Sequence, residues 1–136
     1  MEAFELLPGL ASKCFVIDLP LCSVLLNDTK DFPWIFLVPR VPGIAQINQL
    51  KSADQQQLMR EIGLASDIME ELFPCDRVNV AAIGNMTPQL HVHIICRRKS
   101  DIYWPDVVWN KTMESIGKKD LQDRCLKIKS KFQRIG

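Results

Sequence analysis

Between Gln89 and Ile94 the chain alternates without a break: Gln89, His91 and His93 take every second position, and Leu90, Val92 and Ile94 fill the gaps. A period of two belongs to an extended strand, in which successive side chains point to opposite faces of a sheet. One face is apolar and has to be buried, while the other carries both histidines of the chain. Near physiological pH a neutral imidazole can act as nucleophile, general base, hydrogen-bond donor or metal ligand. The segment therefore demands a sheet and puts chemistry on one side of it.

The rest of the chain has to build that sheet and cover it. Lys13 to Asp18 and Leu21 to Asn27 are apolar, β-favouring runs separated by Leu19-Pro20, which predicts an antiparallel pair with a tight turn. Trp34 to Val38, bounded by Pro33 and Pro39, reads as a third strand that is central or covered on both faces. The period then changes. Ser52-Ala-Asp-Gln55 fits a capping box, and Leu58, Ile62, Ala65, Met69 and Leu72 follow at helical spacing until Pro74. Val78 to Ile83 is a further strand, joined to the histidine strand through the turn Gly84 to Pro88. Leu121, Cys125, Ile128 and Phe132 predict a C-terminal helix with Asp120 as N-cap, and Arg124, Lys127, Lys129 and Lys131 read as its solvated face. These elements describe an α+β domain, an antiparallel sheet of about five strands with one main helix packed on one side. No repeat, low-complexity tract or linker divides the chain, so residues 1–136 read as a single domain whose C-terminal extension and helix occupy 100–136.

Seventeen basic against sixteen acidic residues leave a formal net charge of +1. That offers no long-range field for a nucleic-acid polymer or an anionic membrane, so any bound nucleotide has to be gripped locally. Five cysteines, an odd number with no C-x-x-C pair, read as reduced and mainly buried thiols. The N-terminus has no basic start followed by an apolar run, and no apolar stretch approaches the roughly 20 residues of a membrane helix. A cytoplasmic protein is expected.

Three uses of the histidine face are open. Two histidines can be surface or satisfied core residues. They can supply two ligands to zinc or iron, but such sites need a third and usually a fourth ligand, and the chain has no other histidine and no second ligand pair. They can also work on phosphorus. Imidazole attacks phosphoryl centres at neutral pH and makes an adduct that water cleaves, while a second imidazole and the small, polar Gly84 to Thr87 turn can hydrogen-bond the phosphate.

Gln89-Leu-His91-Val-His93-Ile-Ile95 resembles the signature of the histidine triad (HIT) superfamily, His-x-His-x-His-x-x with x apolar, with Gln at the first histidine. The approach Asn79-Val-Ala-Ala-Ile-Gly-Asn85-Met-Thr-Pro88 and the tail Asp101-Ile-Tyr-Trp-Pro105 are similar to a bacterial branch often described as diadenosine tetraphosphate hydrolase-like. That branch also carries Gln at the first position. The resemblance extends from Lys13 to Arg97 in the order of strands, helix and hairpin. It implies a HIT-like fold and a nucleotide hydrolase or transferase that cleaves a nucleotidyl phosphoanhydride, of the dinucleoside polyphosphate kind, through a covalent adduct. His91 corresponds to the histidine that attacks the α-phosphate, and for this its other ring nitrogen must hold the proton, donated to a backbone carbonyl. His93 corresponds to the histidine that supports it.

The resemblance also sets Asn27 or Asp28 where the family holds the ribose, each equally an ordinary turn residue; Asn85 and Thr87 lie beside the triad and could hydrogen-bond phosphate, although an Asn after Gly also commonly makes a turn. It implies a homodimer with joined sheets, the segment after the triad approaching the partner, which makes Trp104 and Trp109 candidates for an interface or a lid. Trp34, within a strand, reads as core, and Arg97-Arg98-Lys99 as a solvated turn. No metal or cofactor is required, and a divalent cation would come with the substrate. Gln89 is the departure. An amide can copy the hydrogen bonds of a neutral imidazole but cannot shuttle a proton. A catalytically weak or inactive nucleotide-binding module on the same fold is therefore the alternative.

Overall fold

The computed structural model describes residues 3–135. The β-favouring runs form β1 (Cys14–Asp18), β2 (Cys22–Leu26), β3 (Trp34–Pro39), β4 (Arg77–Ala82) and β5 (Val92–Arg97), in one antiparallel sheet of order β1-β2-β3-β5-β4. β1 to β3 are the expected meander. The hairpin of β4 and β5 docks by its second strand, so the histidine strand lies in the interior of the sheet, with Phe36 of β3 and Ala81 of β4 flanking His93.

Helix α2 (Ser52–Leu72; α1 is described below) lies across the even-numbered face of β5. Leu58, Ala65, Ile68 and Met69 are buried there with Val24, Ile35, Leu37, Val92, Ile94 and Cys96. Each large side chain removed from water in this way contributes about 1.5–3 kcal/mol. Ile62 and Leu72, expected in the same stripe, are only half-buried. Among the apolar groups lies the carboxylate of Glu61, tolerated because Leu21 N–H (2.9 Å), Cys22 N–H (2.8 Å) and Gln57 Nε2 (2.7 Å) all donate to it. It ties α2 to the turn between β1 and β2.

Both expected helix caps are displaced. Lys51 is the N-cap of α2 and Ser52 its first residue, because a 3₁₀ turn at Ile47–Gln49, capped reciprocally by Gln46 and Gln49, delivers the chain and buries Leu50 at the helix entrance. Gln55 turns back to the Leu50 carbonyl (2.9 Å) instead of capping Ser52. Helix α3 (Lys118–Ile135) starts before Asp120, which therefore lies inside the first turn, where a carboxylate still favours the helix dipole. α3 buries Cys125, Ile128 and Phe132 against β1 and α2. Its basic residues are not all solvated: Arg124 donates to the carbonyls of Thr29 (2.8 Å) and Lys30 (3.2 Å), Lys127 stands over the Phe73 ring (4.9 Å), and Lys131 pairs with Glu71 (2.6 Å).

The face of the sheet that carries His93 is covered as well. Leu25, Trp34, Phe36, Val38 and Ile95 form a second cluster. An N-terminal segment with the short helix α1 (Pro8–Ala11) brings Phe4, Leu6 and Leu10 onto it, and the chain after β5 brings Tyr103, Val108, Trp109 and Met113. Arg97, expected in a solvated turn, ends β5 on this same face and is 2% exposed. It makes a fork to Asp101 (2.8 and 3.1 Å), reaches Asn79 Oδ1 (3.1 Å), and lies between the rings of Phe32 (5.6 Å) and Trp104 (5.7 Å). All five cysteines are free, with Cys22, Cys96 and Cys125 buried and Cys14 and Cys75 half-buried. Among the described residues no helix is long and apolar enough to cross a membrane.

Candidate active site

The two covers of the histidine face leave His91 and His93 between them. His93 lies within β5, whereas His91 immediately precedes its hydrogen-bonded ladder, which opens at Val92. The ring centres are 5.0 Å apart. Phe36 meets both rings edge-on, at 5.9 Å from His91 and 5.0 Å from His93, and Trp109 meets His93 at 4.9 Å.

The neighbours of the two Nδ1 atoms give the rings opposite tautomers. Nδ1 of His91 is 2.6 Å from the main-chain oxygen of Gln89. A carbonyl only accepts, so this nitrogen carries a proton, and in the neutral form of the ring Nε2 keeps the free lone pair. Nδ1 of His93 is 3.1 Å from Trp34 Nε1. An indole N–H only donates, so here Nδ1 accepts and Nε2 bears the proton. Burial, and then the charges of His91 and Lys13, push the His93 pKa down to about 4, which keeps the ring neutral at physiological pH. A lone pair and an N–H donor thus stand side by side.

Both histidines line a cavity of about 570 Å³ with Trp34 and Trp109 on one side and Asn85, Met86 and Thr87 on another. His91 and Asn85 also line a second cavity, of about 500 Å³, toward Gln46, Asn48 and Gln55. Gly84 is in the left-handed region (φ +68°), the conformation that bends the chain from β4 into the wall shared by both. A nucleophilic nitrogen, a neutral donor, an aromatic wall and a polar turn are suited to holding a planar ring beside a phosphate.

A profile of the HIT domain family matches residues 10–100. The chain belongs to the HIT domain family. Among solved structures it is similar to a histidine triad protein from Bradyrhizobium japonicum, at 38% identity and a TM-score of 0.90, over 96% of this chain and 98% of that one. A histidine triad protein from Marinobacter aquaeolei VT8 is 37% identical with a TM-score of 0.93, over 99% and 100% of the two chains. At 19% identity and a TM-score of 0.67, a diadenosine triphosphate hydrolase from Plasmodium falciparum shares the fold over 88% of this chain and 76% of that one. No curated protein matches the sequence.

Of the residues singled out in this HIT chain, His91, His93, Asn85 and Thr87 come together around the cavity. Gln89 does not line it. Its amide is taken at both ends by the N-terminal segment, accepting from Leu7 N–H (2.8 Å) and donating to the Glu5 carbonyl (2.7 Å). Asn27 accepts from Lys13 Nζ (2.9 Å), which stands over the Phe36 ring (5.6 Å). Asp28 holds the chain before α3: its carboxylate accepts from Ser115 Oγ (2.6 Å) and Ile116 N–H (2.8 Å). The Ser115 bond foremost keeps Asp28 below the usual carboxylate range. Neither Asn27 nor Asp28 is part of the cavity wall.

Sequence reading missed the role of Trp34, whose indole sets the tautomer of His93, and the presence of Lys13 near the rings. Strand parity carried a signal for Trp34. With Phe36 opposite His93 and Ile95 opposite Trp34, the indole has to lie on the histidine face, diagonal to His93. Trp104, paired in the sequence with Trp109, stands instead over Arg97.

Proposed function

We propose that this HIT protein cleaves a nucleotidyl phosphoanhydride, with dinucleoside polyphosphates as the substrate class, through a nucleotidyl adduct on His91. The observation that carries the reading is the 2.6 Å contact of His91 Nδ1 with the Gln89 carbonyl, which leaves Nε2 as a free nucleophile in the cavity wall. The Nε2 lone pair attacks the α-phosphorus. A P–N bond forms as the bond to the bridging oxygen breaks, and the phosphate chain leaves with that electron pair. The Nδ1–H stays on the carbonyl, where the cationic ring strengthens the hydrogen bond. Water then attacks the same phosphorus, the P–N electrons return to Nε2, and the water proton passes to solvent.

In this reading the neutral His93 donates from Nε2 to a phosphate oxygen as charge builds, with Asn85 and Thr87 as further polar contacts. Asn27 and Asp28 both lie outside the cavity wall and are both engaged, by Lys13 and by Ser115, so a ribose contact there requires the sugar to extend beyond the cavity. No metal held by the protein enters the steps, and a divalent cation travels with the phosphate chain. The protein acts in the cytoplasm, as a homodimer.

A second reading is favoured by one observation. Both ends of the Gln89 amide are occupied, so nothing at the first triad position moves a proton, which suits a nucleotide-binding module. Incubation with a panel of dinucleoside polyphosphates, with product analysis and calorimetry, separates the two. Turnover that His91→Ala lowers by at least about a thousandfold, with nucleotide affinity kept, is expected for a covalent nucleophile. Tight binding without product would establish the module instead.

A further inference from the structure

Gln89 stands where the family pattern has its first histidine, and in this chain it grips the N-terminal segment. A carboxamide presents an acceptor and a donor side by side at one end, and here they meet Leu7 N–H and the Glu5 carbonyl, backbone groups two residues apart, as a neighbouring strand would. The two nitrogens of an imidazole diverge across the ring and cannot both address one edge of a chain, and a carboxylate has no donor. Further contacts follow along the same segment. A Cβ at Gly9 would lie 2.8 Å from the Thr87 hydroxyl, and Phe4, Leu6 and Leu10 pack into the cluster that contains Trp34 and Phe36. Residues 4–10 thus form a strap alongside Thr87 and Gln89.

The main chain of Gln89 faces the other way, and its carbonyl accepts the Nδ1–H of His91. Residues 89–91 precede the β5 ladder, so the pairing that aligns the rest of the strand does not reach that carbonyl. That carbonyl shares a planar peptide unit with the Leu90 N–H, which bonds the Ile44 carbonyl (2.9 Å), and the side chain of Gln89 bonds the strap, so the peptide is held at two points.

We propose that Gln89 is a positioning residue: its amide clasps the N-terminal strap, and the clasp, with the Leu90 bond to Ile44, fixes the carbonyl that holds His91 in its Nδ1-protonated tautomer. The strap is then a working part of the site, and Gln is selected over His at this position for its side-by-side donor and acceptor. The catalytic half of this proposal rests on His91 being the nucleophile; the clasp does not.

Two variants cut the same contact from opposite sides. Gln89→Ala removes the amide. Leu7→Pro removes one N–H and is compatible with the backbone there, since Leu7 has φ −64° and is exposed. The readouts are hydrogen exchange of the Leu7 amide, the nitrogen shifts of the His91 ring, and kcat with KM for a dinucleoside polyphosphate. The clasp predicts a protected Leu7 amide and a single His91 tautomer in the unmodified protein. In both variants it predicts mixed tautomers and a kcat lowered roughly tenfold, with KM changed less than about twofold. Because one contact is removed twice, the double variant should be no slower than the worse single one. Either variant keeping a single tautomer and full kcat, or additive losses in the double variant, overturns the proposal. If the unmodified protein turns over no dinucleoside polyphosphate, the functional reading fails, and the exchange and ring-shift arms still decide the clasp.

Discussion

His91 and His93 are the same residue type on the same face of one strand, and they differ in what touches a single atom. A carbonyl at Nδ1 leaves one neutral ring with an Nε2 lone pair; an indole N–H at Nδ1 leaves the other with an Nε2–H donor. Gln89 adds no acid to this pair. A phosphate-chain leaving group departs as a stabilised anion and needs little protonation, whereas an amine has to be protonated before it leaves. With matched adenylyl substrates the proposed reaction should therefore show clear preference for the anhydride over the phosphoramidate, and equal turnover would contradict it. His93 gives a stability prediction. Its pKa is held at about 4 against the usual 6.5, so below pH 6.5 the unfolded chain takes up a proton that the folded one refuses. The contribution to stability is constant above that pH, declines as pH falls from 6.5 toward 4, and declines no further below. In urea denaturation, His93→Gln should flatten the decline over this window; an unchanged slope would mean that the ring is protonated in the fold.

At the scale of elements, the parts readable in sequence were those with a repeating burial pattern. The stripe from Leu58 to Met69 and the alternation around His93 each have one apolar face that only one packing satisfies, and α2 and β5 follow them. The caps at Ser52 and Asp120 differ from expectation for two reasons: the buried Leu50 leads the chain into α2 one residue early, and α3 already closes its first turn through the local Leu121 N–H bond to the Gly117 carbonyl (2.9 Å), before Asp120 can cap it. Arg97 was misread because local charge density pointed to solvent, while its strand parity points to the histidine face. There burial opposes ionisation of Asp101, yet the Arg97 fork and the N–H groups of Tyr103 and Arg98 still hold its carboxyl below the usual range. Arg97→Ala leaves that carboxylate buried and unpaired, which should cost about 3–5 kcal/mol of unfolding free energy. A loss under about 1 kcal/mol, the range of an exposed pair, would put Arg97 in solvent after all.

For the whole molecule, sequence periodicity said how one face of the sheet would be covered and was silent about the other. The cover of the histidine face comes from residues 4–10 and from the chain between Tyr103 and Met113, which have no long helical or strand period to announce them. Trp109 became a wall of the cavity for that reason, and no spacing in the sequence separated it from Trp104. The formal charge of +1 agrees with a site built from a neutral His93 and local hydrogen bonds. β4 is left as an edge strand with Val80 and Ile83 exposed, a surface suited to joining two sheets. Light scattering should therefore report a dimer that Val80→Lys weakens, and a monomer at all concentrations would contradict the proposed assembly. The central claim is narrower: His91 forms a bond to phosphorus. Rapid mixing with a dinucleoside polyphosphate, an alkaline quench and mass analysis of the peptide containing His91 should find a nucleotidyl group on that residue that forms and decays at the rate of turnover. Turnover with no adduct on His91 at any time point would contradict the account.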